Sequence, residues 1–224
     1  MTLIDYPSKV AAIIFTVGCN FRCRFCYNVK LVDESLFKEI ETIDEKEIIE
    51  FLKTRIGKLE AIVITGGEPT MQSDLKAFIL KIKKMGFLVK LDTNGTNPDV
   101  ISDLLNRKII DYIAMDIKNE LTESDYTKIV NRVIDMENIK KSIDIIMKSG
   151  IDYEFRTTVA PGVSRENIKN IVKTIKGAKK YYLQEFQAGD VLDNQCKKDK
   201  WLSKEELDEI AEEIKNSFGE CKAR

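Results

Sequence analysis

Short apolar segments rich in β-branched residues alternate with longer segments of helical periodicity along the whole chain. Such alternation predicts right-handed strand-helix-strand crossovers and a mainly parallel sheet, either open or curled into a barrel. The six predicted strands are residues 10–17, 60–65, 87–93, 112–117, 152–159 and 181–186. The predicted helices are residues 44–55, 73–85, 99–106, a pair within 123–149, 165–175 and 203–217.

The predicted fold class is therefore α/β, a partial (β/α)6 TIM-like barrel with mainly parallel strands. A chain of 224 residues, 43% of them hydrophobic, can bury one core of this size without disulfides. We expect a single domain over residues 1–224. Two helix starts are predicted from their caps: Ser73 as an N-cap, and Ser203 with Glu206 as a capping box.

Composition excludes several classes of function. Lys and Arg number 36 against 37 Asp and Glu, so the chain lacks the positive field of a generic nucleic-acid binder. Its apolar runs are strand-sized, too short to cross a bilayer, and the first residues show no signal-peptide pattern. We expect a cytoplasmic protein with no membrane partner. In that reducing compartment, clustered cysteines are more often metal ligands or redox groups than disulfides.

The candidate chemical groups all follow predicted strands. A cysteine motif comes after the first strand, "TGGEPT" after the second, "DTNGT" after the third, "MDIK" at the end of the fourth and "VAPG" after the fifth. Active sites of parallel α/β folds lie at the carboxyl ends of the strands. The sequence therefore predicts one site that collects all of these segments.

Three cysteines, Cys19, Cys23 and Cys26, lie within the stretch "TVGCNFRCRFCYN". A structural zinc site needs four ligands, and the chain contains no histidine to complete one. A disulfide would leave one thiol unpaired. Three thiolates can instead hold three irons of a 4Fe-4S cluster and leave the fourth iron open to a small ligand. Three reduced cysteines in a loop, or an adventitious metal site, remain the alternatives.

This constellation resembles the radical S-adenosylmethionine superfamily over most of the chain. The resemblance implies that the open iron binds S-adenosylmethionine, and that an electron from the cluster cleaves it to methionine and a 5'-deoxyadenosyl radical. It also implies that Phe25 packs on the adenine. An ordinary packing aromatic is the alternative for Phe25.

The segment "TGGEP" contains Gly66, Gly67 and Glu68 directly after a strand. Glycines there allow a backbone to approach a ligand closely, and the carbonyls and Glu68 could accept hydrogen bonds from an ammonium. In the resembled family this segment binds the amino group of S-adenosylmethionine. Taken alone, two glycines and a proline would form a plain strand-to-helix turn.

The segments "LDTNGT" and "MDIK" resemble those of activating enzymes for glycyl radical enzymes. The resemblance implies that Asp92, Asn94, Asp116 and Lys118 bind the cofactor, and that the aspartates help to hold a monovalent cation. Arg156 lies inside the fifth strand, so its guanidinium is expected to face the barrel interior and pair with an acid. The alternative is that Asn94 only makes a turn and Lys118 is a solvated end residue.

One departure from that family concerns histidine. Activating enzymes often carry a histidine after the third cysteine and another late in the chain. Here Tyr27 holds the first of these positions, and the chain has no histidine at all. Gln184 or Gln187 is the expected substitute for the second.

The opening of the chain, "TLIDYPSKVAAIIFTVGCNFRCRFCYN", and the later "YLQEF" resemble activating proteins of anaerobic ribonucleoside-triphosphate reductase. The resemblance implies abstraction of hydrogen from a glycine of such a glycyl radical enzyme. A low-potential donor such as flavodoxin or ferredoxin would supply the electron. Six strand units predict a barrel with an open side, wide enough for a loop of another protein.

Two other functions remain open. One is a radical synthase acting on a small molecule, similar to 7-carboxy-7-deazaguanine synthase, and the other is an iron-sulfur electron carrier. The remaining cysteines, Cys196 and Cys221, have polar neighbours and are predicted to be exposed thiols without a ligand.

Overall fold

Seven parallel strands follow one another in chain order across a single sheet that does not close on itself. The computed structural model describes residues 2–224, and in these residues it has seven strands and eight α-helices. The strands are β1 (Ala11–Thr16), β2 (Ala61–Gly66), β3 (Leu88–Thr93), β4 (Tyr112–Asp116), β5 (Asp152–Val159), β6 (Lys180–Glu185) and β7 (Glu220–Ala223). Within the same residues, no helix combines the length and the apolar character needed to cross a bilayer.

The helices connect successive strands. They are α1 (Val29–Val32), α2 (Glu45–Lys53), α3 (Leu75–Lys84), α4 (Pro98–Asn106), α5 (Glu123–Val130), α6 (Met136–Lys148), α7 (Arg165–Ile175) and α8 (Lys204–Ile214). Each longer helix places one apolar stripe against the sheet, as Ile79 of α3 and Ile101 of α4 show by being fully buried.

The two faces of the sheet differ in chemistry, because successive residues of a strand point to opposite sides. The outer face carries apolar side chains such as Ile64 and Leu91, which are fully buried in the main core under the helices. The inner face has a small apolar cluster near the amino ends of the strands, made of Tyr6, Ala11, Ala61, Val63 and Tyr112. Toward the carboxyl ends, the inner face is charged.

The predicted α/β fold with a mainly parallel, partly closed sheet is confirmed. All six predicted strands and all predicted helices are present, with ends that differ by at most three residues. The strand number is corrected from six to seven. β7 was missed because it has only four residues, Glu220–Ala223, two of them charged; its pairing with β6 becomes clear only in three dimensions.

The prediction that Cys196 and Cys221 are exposed is wrong. Cys196 is 1% exposed and belongs to the main core, where its Sγ lies 3.8 Å from the carbonyl oxygen of Arg24. Cys221 lies in β7 and packs, partly buried, against the same core. Their polar sequence neighbours were misleading, because alternate residues of a strand or tight turn face opposite directions.

Of the two predicted helix caps, one is present in the structure and the other is not. At α8 the capping box is present: Glu206 N donates to Ser203 Oγ at 3.3 Å, and Ser203 N donates to Glu206 Oε2 at 2.7 Å. The prediction for Ser73 is wrong. The residue at the N-cap of α3 is Asp74, whose side chain makes no capping hydrogen bond, and Ser73 precedes it.

The Ser203→Ala substitution should lower the free energy of unfolding by about 1 kcal/mol, because the N–H of Glu206 would lose its capping acceptor. Urea denaturation followed by circular dichroism measures this loss. Ser73→Ala is the matched control and should change the stability little. Equal losses in the two variants would contradict the assignment of the caps.

Candidate functional site

A cavity of about 330 Å³ opens at the carboxyl ends of β1 to β6, and its lining unites the predicted site residues. These residues, all twelve of them, are Cys19, Cys23, Phe25, Cys26, Gly66, Gly67, Glu68, Asp92, Asn94, Asp116, Lys118 and Arg156. The lining also includes residues that the sequence did not single out, among them Thr65, Thr93, Thr158 and Glu185. All four lie in the last two residues of a predicted strand, and this position at the carboxyl end was the only sequence signal for them.

The loop that carries the three cysteines is fixed by backbone hydrogen bonds from both sides. Arg22 N donates to Val130 O, at the end of α5, over 2.8 Å. Leu192 N, in the connection after β6, donates to Cys26 O over 3.1 Å. The loop is therefore held in place by chain segments far from it in sequence.

The connection after β6 also forms ion pairs with this loop. Arg24 Nε lies 2.7 Å from Asp193 Oδ2, and Arg24 NH2 lies 3.3 Å from Asp199 Oδ2. In addition, Asp193 N donates to Arg24 O over 2.9 Å. Residues 192–199 therefore lie across the cysteine loop and cover part of it.

Burial changes the acidity of the three thiols in the loop. It raises the pKa of Cys23 to about 12 and that of Cys19 to about 11, and it also raises the pKa of Cys26. The charge of Lys118 opposes the shift at each thiol. A buried thiolate is stable when a metal compensates its charge, so these three thiols suit metal ligation.

Three thiols on one loop are the donor set that a 4Fe-4S cluster needs when the protein binds three of its irons. Within residues 2–224, no three Cys, Asp or Glu side chains are grouped as the ligands of one metal ion. The thiolates of a cluster each bind a different iron, so they need not converge on one point. The other two cysteines, Cys196 and Cys221, lie outside the cavity lining. Three thiols around one cavity match a cluster bound at three corners.

The glycines of "TGGEP" join β2 to the cysteine loop. Gly67 N donates to Thr16 O over 2.9 Å, and Glu68 N donates to Gly18 O over 2.8 Å. A Cβ atom on Gly67 would overlap the carbonyl oxygen of Gly18, and one on Gly66 would overlap the backbone of Thr16. Contact between the two loops therefore explains the need for glycine, where the sequence pattern had indicated close approach to a ligand.

Glu68 is almost fully buried, with 1% of its surface exposed. Its Oε1 accepts hydrogen bonds from Thr70 and from Thr93 Oγ1, the latter over 2.6 Å, and its Oε2 accepts one from Asn94 N over 2.7 Å. Burial raises the pKa of Glu68, and these hydrogen bonds oppose the rise. The carboxylate thus joins the turns after β2 and β3, and a ligand ammonium would have to share it with these donors.

Two acidic residues at the cavity, Asp92 and Asp116, are paired with cations. Arg156 Nε lies 2.8 Å from Asp116 Oδ1, and its NH1 lies 3.2 Å from Asp92 Oδ2. Lys118 Nζ lies 3.0 Å from Asp116 Oδ2. Burial alone would raise the pKa of Asp116, but the charges of Arg156 and Lys118 hold it well below its usual range. The expectation that Arg156 faces the interior and pairs with an acid is confirmed.

Lys90 is a charged inner-face residue that the sequence analysis missed. It is 2% exposed, and its Nζ lies 2.9 Å from Asp92 Oδ1. The signal was present in the strand sequence "LVKLDT", because residues 90 and 92 of a strand share one face.

The aromatic residues of the cysteine loop have distinct surroundings. Phe25 is 6% exposed, and Lys118 Nζ lies 5.8 Å from its ring centroid. Tyr27 stacks on Phe186 and its hydroxyl donates to Gln187 O over 2.8 Å. Of the two glutamines expected to replace a histidine, Gln184 lines the cavity. Gln187 lies outside the lining, and its recorded contacts with Tyr27 are through its backbone.

The Gly67→Ala substitution should separate the cysteine loop from β2, because the new methyl group would collide with the Gly18 carbonyl. We expect a loss of about 1–3 kcal/mol in the free energy of unfolding, together with a lower iron and sulfide content after anaerobic reconstitution. Gly189→Ala is the control, since a Cβ there would meet Tyr27 at an ordinary 4.0 Å. Normal iron binding in the Gly67 variant would contradict this role.

Comparison with known proteins gives the family. The sequence model of the Radical SAM superfamily matches residues 13–175. A Methanocaldococcus jannaschii protein named "putative glycyl-radical enzyme activating enzyme" is 40% identical over 217 residues, which cover 94% of this chain and 87% of that protein. The 7-carboxy-7-deazaguanine synthase of Thermococcus kodakarensis is 27% identical over 179 residues, or 71% of this chain and 68% of that enzyme.

Among solved structures, Streptococcus suis SuiB bound to S-adenosylmethionine superimposes with a TM-score of 0.72 at 14% identity. The match covers 96% of this chain and 50% of that one, so this chain corresponds to half of SuiB. At this identity the likeness concerns the fold alone. The family match over residues 13–175 and the 40% identity to the Methanocaldococcus jannaschii protein show that the chain belongs to the radical S-adenosylmethionine superfamily.

Proposed function

We propose that this protein is an activating enzyme that uses S-adenosylmethionine to generate a glycyl radical in a partner enzyme. The family implies a 4Fe-4S cluster and S-adenosylmethionine as cofactors. The observation that carries the assignment is that Cys19, Cys23 and Cys26 line one cavity at the carboxyl ends of the strands. The 40% identity to a protein named as an activating enzyme supports the partner class.

In this proposal Cys19, Cys23 and Cys26 hold the cluster at three irons. When bound, the cluster would supply a low-potential electron for the reductive cleavage of S-adenosylmethionine to methionine and a 5'-deoxyadenosyl radical. The chain's part is to bind, orient and keep water out. Residues 1–224 would form the catalytic core domain, acting in the cytoplasm with flavodoxin or ferredoxin as electron donor.

The cofactor-binding roles that we propose are those that the resemblance to the family implies, and the charges and backbone of the cavity support them. Gly66, Gly67 and Glu68 would receive the amino group of S-adenosylmethionine, and Phe25 would pack on its adenine. Lys118 would bind the carboxylate, since its ammonium lies 5.8 Å from the Phe25 ring centroid and Lys118 lines the same cavity as the cysteines. Asp92, Asn94, Asp116 and Arg156 would complete the binding site.

The unclosed sheet supports a protein substrate. Because β1 and β7 are both edge strands, the inner face stays open on one side. A loop of a partner enzyme could enter there and bring a glycine to the cavity. Anaerobic ribonucleoside-triphosphate reductase is the partner we propose, on the resemblance of residues 2–28 and of the later "YLQEF" to its activating proteins.

A second candidate function is synthesis of a small molecule. The identity of 27% with a 7-carboxy-7-deazaguanine synthase over 71% of this chain favours it. The two functions can be distinguished by supplying a small-molecule substrate without a protein partner. A pterin substrate that is consumed with release of 5'-deoxyadenosine, with no protein partner present, would favour the synthase.

The decisive experiment combines the purified, anaerobically reconstituted protein with S-adenosylmethionine, a reductant and anaerobic ribonucleotide reductase. Electron paramagnetic resonance should then show a glycyl radical in the reductase. Formation of 5'-deoxyadenosine without any glycyl radical would remove the proposed partner but leave the radical chemistry in place.

The Cys23→Ala substitution should abolish reductive cleavage of S-adenosylmethionine, because the cluster would lose one of three protein ligands. Chromatography of 5'-deoxyadenosine measures the cleavage, and iron analysis measures the cluster. Cys221→Ala should leave both near wild type, since Cys221 lies outside the cavity. An iron-sulfur electron carrier would instead show no response of its reduced spectrum to S-adenosylmethionine.

A further inference from the structure

The acidic residues on the inner face of the sheet are balanced by cations of the chain itself. Within the described residues, three carboxylates and three cationic side chains form one connected row there: Lys90, Asp92, Arg156, Asp116, Lys118 and Glu154. Every side chain of this row is at most 26% exposed. Opposite charges in such a position interact strongly, because little water screens them.

Lys90 is the cation of this row that does not line the cavity, whereas Arg156 and Lys118 do. Its Nζ lies 2.9 Å from Asp92 Oδ1 and donates to the carbonyl oxygen of Asp5 over 2.7 Å. It also lies 5.8 Å from the ring centroid of Tyr112. The ammonium is therefore fixed by the N-terminal segment and by β4, and it does not line the cofactor cavity.

Asp92 consequently has a cation near each of its oxygens: Lys90 forms an ion pair with Oδ1 without an aligned hydrogen bond, and Arg156 NH1 donates to Oδ2 over 3.2 Å. Asp116 is placed in the same way between Arg156 and Lys118. A monovalent metal ion between the two aspartates would have to share them with three fixed positive charges. The repulsion among these charges opposes its binding.

We propose that Lys90 is a positioning residue that, with Arg156, takes the place of a monovalent cation at the cofactor site. Lys90 holds Asp92 in the orientation that the cofactor site requires and neutralises it. Binding of S-adenosylmethionine then needs no added potassium or sodium ion. This inference rests on the cofactor part of the proposed function and is independent of the partner enzyme.

The test measures the affinity of the reconstituted protein for S-adenosylmethionine by anaerobic calorimetry. Choline chloride is replaced stepwise by KCl up to about 0.1 M at constant ionic strength, so that screening stays the same. For the wild-type protein, Kd should be independent of KCl. A wild-type Kd that tightens about tenfold or more with KCl would overturn the proposal.

The Lys90→Met variant supplies the second readout. In choline chloride its Kd for S-adenosylmethionine should be about 10- to 100-fold higher than that of the wild type. Loss of a residue that orients a ligand-binding side chain has an effect of this size. KCl should restore much of the loss, because a potassium ion can then enter beside Asp92; a purely structural role of Lys90 would show no such rescue. Wild-type affinity of Lys90→Met in choline chloride, or a weakening that KCl does not reverse, would contradict the proposal.

Lys53→Met is the matched control, since Lys53 is an exposed residue of α2 that pairs only with Glu50 on the surface. It should bind S-adenosylmethionine like the wild type in both salts. If Lys90→Met does not fold, the KCl dependence of the wild-type protein still decides the question. Absence of S-adenosylmethionine binding by the wild type in every salt would instead refute the proposed function.

Discussion

Parallel pairing of neighbouring strands in chain order is the constraint on which the site depends. Each strand-helix unit returns the chain to the same rim of the sheet, so the turns after β1 to β6 meet there although up to about 170 residues separate them. No single segment carries the chemistry. The cysteines come from the first turn, the glycines from the second and the charged row from the strand ends that follow.

The cations on the inner face compensate the carboxylates that this arrangement brings together. Strand ends that collect carboxylates in a partly dry space would repel one another, and burial would favour their protonation. Arg156 prevents this by contacting both Asp92 and Asp116, and Lys90 and Lys118 extend the compensation on either side. The opposing charges hold the pKa of Asp116 below its usual range and fix both aspartates in place, which suits the binding of a zwitterionic cofactor. The same charges lie near the thiols, where Lys118 opposes the effect of burial.

The sequence predicted those parts of the structure whose signal is local. Strands such as β2 have uninterrupted β-branched residues, and the cysteine and glycine motifs lie directly after their strands, so their positions followed from the pattern. Strand β7 could not be predicted, because its four residues are stabilised by pairing with β6. The burial of Cys196 and the role of Lys90 also depend on distant partners, namely Arg24, Asp92 and the carbonyl of Asp5. Gly67 was identified correctly as a special position, but its neighbour is the Gly18 carbonyl of the first turn.

The contacts between the cysteine loop and residues 192–199 have a consequence for biosynthesis. Arg24 and Asp193 are 169 positions apart, so their ion pair cannot form until most of the chain has left the ribosome. A nascent chain exposes its three thiols long before the segment that covers them exists. The segment that covers the loop is therefore added late, after all the strands from β1 to β6 have been synthesised.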